Sequence, residues 1–318
     1  MDFFRPPMVV TGLVVTTLLS SAQAQQPVQQ QTTQQATARQ QATQAGSQAT
    51  GPQLPFPALN AQQQQELDQH LLQWQNRSRG TRTLETRYVR WRFDQKDAPA
   101  GIPAHRAEGQ LKYATPDKGL FRDDSIVFYV GMEANKPQFK ADPRKPGDYW
   151  VCNGKEIVRY DQAELKCTVM ALPPEMQGVQ IFNSPLPFVF NLNAAQIKER
   201  FWIRTLPAQQ PNTYLIEAWP RKQNDRAQYK VVHVSLSSNY DVLGLVVYAP
   251  NYDVRTANNY DLYEFTKVKR NGITAGFMNG WLKNFIPQQP PKGWEVVHEK
   301  FLGPAQVAGQ PPAQPPLR

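Results

Sequence analysis

Leu67, Leu71 and Trp74 recur at i, i+4 and i+7 within LNAQQQQELDQHLLQWQNRS (59–78), which predicts an amphipathic helix with its glutamines outward. Gly80 follows as a stop signal. The period then changes. Thr83–Phe93 is rich in β-branched and aromatic residues and predicts a strand. Glu108–Ala114 and Gly119–Asp124 predict two more, joined by the turn Thr115-Pro116-Asp117-Lys118. Residues 94–106 and 131–147 are rich in Pro, Gly and charge and predict loops.

The stretch WVCNGKEIVRYDQAELKCTVMAL (150–172) predicts a three-stranded meander, with Asn153-Gly154 at the centre of a type I′ turn. That turn sets Cys152 opposite Lys155, Val151 opposite Glu156 and Tyr149 opposite Val158. A second turn at Asp161–Glu164 sets Tyr160 opposite Leu165. One face then carries Tyr149, Val151, Val158, Tyr160, Leu165, Cys167 and Val169, and is almost wholly apolar. Cys152 falls on the other face with Lys155, Arg159, Lys166 and Thr168. The two cysteines lie on the first and third strands, two inter-strand spacings or roughly 9.6 Å apart. A disulfide needs Cα atoms within about 7 Å, so free thiols are expected.

Beyond the meander, Leu186, Phe188, Val189, Phe190 and Leu192 form an apolar cluster broken by Pro185 and Pro187. Its neutral reading is core; its sharper reading is a movable plug over a cavity. Asn193 can cap a short helix over Ala194–Glu199. Strands are predicted at Phe201–Leu206, Thr213–Trp219, Gln228–Leu236, Val242–Ala249 and Tyr260–Val268. Val242–Tyr248 is apolar on both sides and calls for cover on each. Phe277–Phe285 suggests a short helical piece, and Trp294–Phe301 one more strand or a packed tail.

The ends have a different composition. Arg5, the apolar run Met8–Leu19 and Ala22-Gln23-Ala24 have the form of a secretory signal peptide over 1–24, cleaved near Ala24. Residues 25–56 read as a disordered Gln-rich arm and 302–318 as a disordered Pro-rich tail. Between them, 57–301 has the length of one large β domain. The expectation is a periplasmic or otherwise exported chain, soluble after cleavage. The net charge of +9 admits an acidic partner or peripheral contact with a membrane; export argues against nucleic acid. The densest basic run, Arg87-Tyr88-Val89-Arg90-Trp91-Arg92, is most simply a solvated outer strand face.

No catalytic constellation appears. His70, His105, His233 and His298 form no HxH, HxxxH or HExxH pair. GxSxG, P-loop and GxGxxG motifs are absent. His233, out of phase with Val232 and Val234, is expected to face solvent, and Asp123-Asp124 to be turn residues. No metal, cofactor or enzymatic activity is expected.

Three motifs in order give the chain a family resemblance. They are Gly109-Gln110-Leu111-Lys112-Tyr113-Ala114-Thr115-Pro116 ending at Leu120-Phe121, Asn153-Gly154-Lys155 through Tyr160-Asp161, and Ser184-Pro185-Leu186-Pro187-Phe188-Val189-Phe190. With the preceding helix, they resemble the LolA-type periplasmic lipoprotein carriers and the wider LolA/LolB-like fold. The resemblance runs to about Asn271. The family's frequent arginine before the hairpin proline is Thr115 here.

The resemblance implies a mainly β fold with some α: an incomplete, curved antiparallel β-barrel, or half-barrel, closed by short helices. It implies an outer-membrane-directed carrier that shelters acyl chains of a lipid or lipidated protein. The residues expected to line the cavity are Tyr113, Phe121, Val158, Tyr160, Val169, Leu186, Phe188, Phe190, Phe201, Trp219 and Val247. The alternative is a filled half-barrel that binds an exported protein and transfers no lipid.

Overall fold

The computed structural model describes residues 54–172 and 192–300. The first long element is helix α1, Ala61–Arg79. Asn60 starts it through a reciprocal capping box: its side chain accepts from the Gln63 amide at 2.9 Å, while Gln63 accepts from the Asn60 amide at 3.0 Å. Gly80 ends it in a right-handed conformation, φ −74°, so the stop does not draw on glycine's left-handed freedom. Leu67, Leu71 and Trp74 are buried as their spacing requires.

Thirteen strands follow in one sheet: β1 Thr83–Phe93, β2 His105–Ala114, β3 Lys118–Glu133, β4 Lys136–Lys140, β5 Tyr149–Cys152, β6 Glu156–Asp161, β7 Lys166–Ala171, β8 Phe201–Leu206, β9 Thr213–Pro220, β10 Val231–Ser237, β11 Val242–Tyr248, β12 Tyr260–Arg270 and β13 Glu295–Lys300. The order across the sheet is β13-β7-β6-β5-β3-β2-β1-β12-β11-β10-β9-β8, with β4 beside β3. The terminal strands β13 and β8 do not pair with each other, so the sheet is open. Short helices α2 (Ala194–Arg200), α3 (Gln223–Arg226) and α4 (Met278–Leu282) complete the described unit. Every pairing is antiparallel except one. β13 joins β7 in parallel, so the expectation of a wholly antiparallel sheet is corrected at this edge.

Cross-strand partners point to the same side of a sheet, so the registers divide the side chains between two faces. The inner face, against α1, carries Leu84, Tyr88, Leu111, Tyr113, Phe121, Phe201, Ile203, Ile216, Val232, Val234, Leu245 and Phe265 in one cluster with Leu67, Leu71 and Trp74. The outer face of β3, β5, β6 and β7 carries a second cluster: Leu120, Val151, Val158, Tyr160 and Cys167. It is covered by Trp281 and Phe285 from the 275–285 segment.

The meander departs from its predicted register. Tyr149 lies opposite Tyr160 and Val151 opposite Val158. Asn153 belongs to the pairing, through its amide to the Glu156 carbonyl at 3.2 Å, and Gly154-Lys155 form the turn. The Asn153 carboxamide oxygen accepts from the Lys155 and Glu156 amides at 2.9 and 3.0 Å. Gly154 has φ +94°, and a Cβ there would lie 2.6 Å from the Asp117 carboxylate. In the second turn, Tyr160 pairs with Cys167 rather than Leu165. Leu165 adopts φ 49° in the turn and is 52% exposed, not on the apolar face. Both shifts preserve parity, so Cys152 and Cys167 stay on opposite faces, each buried and free.

The loop expected at 131–147 is in part a hairpin. β3 runs on to Glu133, turns through Ala134 and Asn135 at φ 47° and 61°, and pairs with β4.

Candidate functional site: the inner face and its polar node

Helix α1 and the inner face are joined by apolar contact and by polar ties. The Gln75 carboxamide oxygen accepts from the Ala194 amide at 2.9 Å, linking α1 to α2. Asn193 caps α2 as expected, accepting from the amides of Ala195 and Gln196 at 3.1 Å. Arg77 forks onto Asp241 at 3.2 and 2.9 Å, and Arg270 Nε reaches the same carboxylate at 2.5 Å. His70, on α1, lies 4.4 Å from the Tyr214 ring and 3.1 Å from the Tyr240 hydroxyl.

Of the positions expected to line one cavity, the structure brings Tyr113, Phe121 and Phe201 together in the inner cluster, with Val247 packed against it. It does not bring Val158, Tyr160 and Val169 to them. The meander's apolar side is the outer face, where these three meet Ala114, Val151 and Cys167. Trp219 is also on the outer face, opposite Trp202. The physical reason is that the meander is covered on both sides. Its opposite face, with Cys152, Trp150 and Ile157 against Leu172, is also closed. An apolar face therefore did not by itself identify the inner side. Leu186, Phe188 and Phe190, with Pro185 and Pro187, lie outside the described residues.

The inner face is not apolar throughout. The basic run of β1 is split by strand alternation. Arg87 points outward to Asp124 at 2.6 Å, while Arg90 points inward and is nearly buried. Arg90 donates to Asp123 at 2.7 Å and to Asp148 at 2.8 Å. Tyr88 donates to the other Asp123 oxygen at 2.6 Å, and the Asp148 amide donates to Asp123 at 2.9 Å. The run is thus no simple solvated face, and Asp123 and Asp124 are mid-strand residues facing opposite sides of β3, not turn residues.

Gly109 makes room for this arrangement, since a Cβ there would meet the Tyr88 hydroxyl at 2.4 Å and the Arg122 carbonyl at 2.2 Å. Burial pushes the Tyr88 phenol well above its ordinary range, reinforced by the Asp123 carboxylate. Burial lowers Arg90's affinity for its proton, but Tyr263, Asp123 and Asp148 outweigh it and hold the guanidinium charged. Burial raises the Asp123 carboxyl above its ordinary value, against the opposing pull of Arg90, the Tyr88 hydroxyl and the Asp148 amide.

Beside this pair, His105, Arg92 and Asp261 form one row across β2, β1 and β12 on the same face. Burial, then Arg90 and Arg92, pull the His105 imidazole down to about 4. Burial raises the Asp261 carboxyl, against the pull of Arg92 and Arg90. The row is flanked by Phe128, stacked on His105 at 5.6 Å, and by Val247, the partner of Asp261.

On the outer face, Glu217 accepts from Arg204 at 2.5 Å and lies 3.1 Å from His233 Nε2. His233 is therefore half-buried in a polar network, with the Tyr248 hydroxyl 3.4 Å from Nδ1, rather than simply facing solvent. Strand phase placed His233 on the correct face but did not reveal its partners. Among the described residues, no group of three or more His, Cys, Asp or Glu could hold a metal ion, and no helix is long and apolar enough to cross a membrane.

No protein-family profile and no curated protein matches the sequence. Solved structures do. A LolA superfamily protein from Nitrosomonas europaea is similar over 69% of this chain and 97% of its own, at 9% identity and a TM-score of 0.32. An uncharacterized conserved protein from Thermus thermophilus is similar over 73% of this chain and 99% of its own, at 11% identity and a TM-score of 0.39. The Mycobacterium tuberculosis lipoprotein LppX is similar over 66% of this chain and 98% of its own, at 9% identity and a TM-score of 0.33.

Proposed function

We propose that the chain is an exported, non-catalytic binding protein. Its half-barrel sheet shelters the acyl chains of a lipid or lipidated protein against the inner face. The observation that supports this reading best is the union of Tyr113 and Phe121, from one hairpin, with the distant Phe201 in one apolar field beneath α1. Burial of acyl chains there would contribute about 0.8 kcal/mol per CH₂. Because α1 covers the field, the ligand enters by displacing that cover.

The test is mass spectrometry of organic extracts from natively purified protein, with titration of N-phenyl-1-naphthylamine, an uncharged apolar fluorophore. Co-purified lipid and saturable fluorophore binding are expected. Absence of both would overturn the reading. The second reading is a filled module that docks an exported protein and takes up no lipid. It is favoured by one observation: Tyr113, Phe121 and Phe201 are each at most 3% exposed.

A further inference from the structure

Three side-chain atoms on the inner face are buried and have no hydrogen-bond partner among the described residues: Arg90 Nε, His105 Nδ1 and Asp261 Oδ1. The registers place them together. His105 and Asp261 flank Arg92 from either side, and Arg90 lies two residues along the same strand on the same face. A buried polar atom without a partner costs about 1–3 kcal/mol, and three in one patch form a cluster of unmet hydrogen-bonding capacity. The patch has an apolar border, with Phe128 stacked on His105, Val247 opposite Asp261, and the Phe121 ring 6.0 Å from the Arg90 guanidinium carbon. It is also open at one side, because the Arg92 side chain is 52% exposed.

The charges around the patch cancel. Arg90 faces Asp123 and Asp148, and Arg92 lies 3.9 Å from Asp94. Lys145 adds one further cation over the Phe128 ring. Three cations thus meet three carboxylates. Asp261 can only move the balance toward negative. An anionic head group would lose its hydration and meet no net positive field. An uncharged group with a carbonyl oxygen and a hydroxyl loses less on transfer. It can accept from the Arg90 Nε–H and exchange hydrogen bonds with the two neighbouring groups.

We infer that this node is a head-group site for an uncharged acyl ester of the glyceride type, selected over fatty acids and phosphate-bearing lipids by hydrogen bonding without net charge. The inference rests on the proposed apolar-ligand function and adds the class of head group.

The test is displacement of N-phenyl-1-naphthylamine from the full mature chain at neutral pH. The competitors share a ten-carbon chain: 1-decanoylglycerol, decanoate and decyl phosphate, each kept below its aggregation threshold. The glycerol ester is expected to displace the fluorophore at concentrations at least about tenfold lower than either anion, the factor carried by one well-made buried hydrogen bond. In Asp261→Leu the preference should fall to within about twofold. Asp261→Asn, which keeps a hydrogen-bonding group in the same shape, should retain most of it.

Equal or better displacement by the anions would overturn the head-group assignment while leaving apolar binding intact. An unchanged preference in Asp261→Leu would move the site elsewhere and overturn it too. Failure of the fluorophore to bind at all would remove the parent function and this site with it.

Discussion

At the scale of single residues, the polar positions are the most constrained. Arg90 and Asp123 form a buried pair with Tyr88 and Asp148 completing its bonds. Removing one partner from such a pair costs about 3–5 kcal/mol, because the other charge remains buried and uncompensated. Arg90→Leu should therefore lower the unfolding free energy by that amount in urea titration, whereas Arg87→Leu, on the outer face, should cost less than about 1 kcal/mol.

Gly109→Ala should be destabilising by roughly 1–3 kcal/mol, since the new Cβ meets the Arg122 backbone carbonyl, which has less freedom to move than a side chain. Glu217 gives a pH signature. Burial opposes its ionisation, but hydrogen bonds from His233 and Arg204 outweigh it and hold its carboxyl at about 2, against an ordinary 4.5. Its contribution is fully present above the ordinary value and is lost as pH falls through about 2. Glu217→Gln should flatten the acid limb of the stability curve over that window, by on the order of 3 kcal/mol. Parallel limbs in the two proteins would show the network to be inert.

At the scale of elements, legibility followed the strength of the local signal. Helix α1 was readable because Leu67, Leu71 and Trp74 keep the helical period, whereas its Asn60 cap was not read from the sequence. Trp74→Ala should cost about 3–5 kcal/mol and Asn60→Ala about 1 kcal/mol, both measurable by thermal or urea unfolding. β1 and β8 were read to the residue, because β-branched and aromatic runs end at clear breaks. The β3–β4 hairpin was not read, because its turn places alanine in the left-handed region, where composition gives no signal.

Asn153-Gly154 marked the correct hairpin in the wrong phase. Asn153 uses its side chain to bridge the turn, so glycine takes the first central position: the turn moves by one residue and the cross-strand partners by two, which keeps the faces. Alternation divides a strand into two faces, but it does not say which is inner. That was decided by what covers each side, and the cover of the meander comes from residues more than a hundred positions later in the chain. The cluster around Arg90 was illegible for the same reason, since its partners Asp123 and Asp148 belong to strands and loops that only the fold brings together.

At the scale of the whole described unit, the 271–300 segment ties the C-terminal region to the β5–β7 lobe. Trp281 and Phe285 cover the outer cluster, the Tyr160 hydroxyl donates to the Gln288 carbonyl at 2.6 Å, and Lys112 reaches Asn284 at 2.8 Å. β13 then extends the sheet in parallel, with the Glu295 amide bound to the Leu165 carbonyl at 2.9 Å. Covering an apolar sheet face is worth roughly 25 cal/mol per Å² removed from water, so loss of the segment would leave a sticky surface on an otherwise intact sheet.

The two cysteines report on this directly. Cys167 lies under the segment, and Cys152 lies on the opposite face against Leu172. Burial raises both thiols, Cys152 to about 11, so both should react slowly with a maleimide in the full chain. Truncation after Arg270 should accelerate labelling of Cys167 by at least about tenfold while Cys152 stays protected, if the lobe keeps its fold. Equal acceleration at both sites would mean that the segment holds the lobe folded, and no acceleration at Cys167 would mean that its cover lies elsewhere.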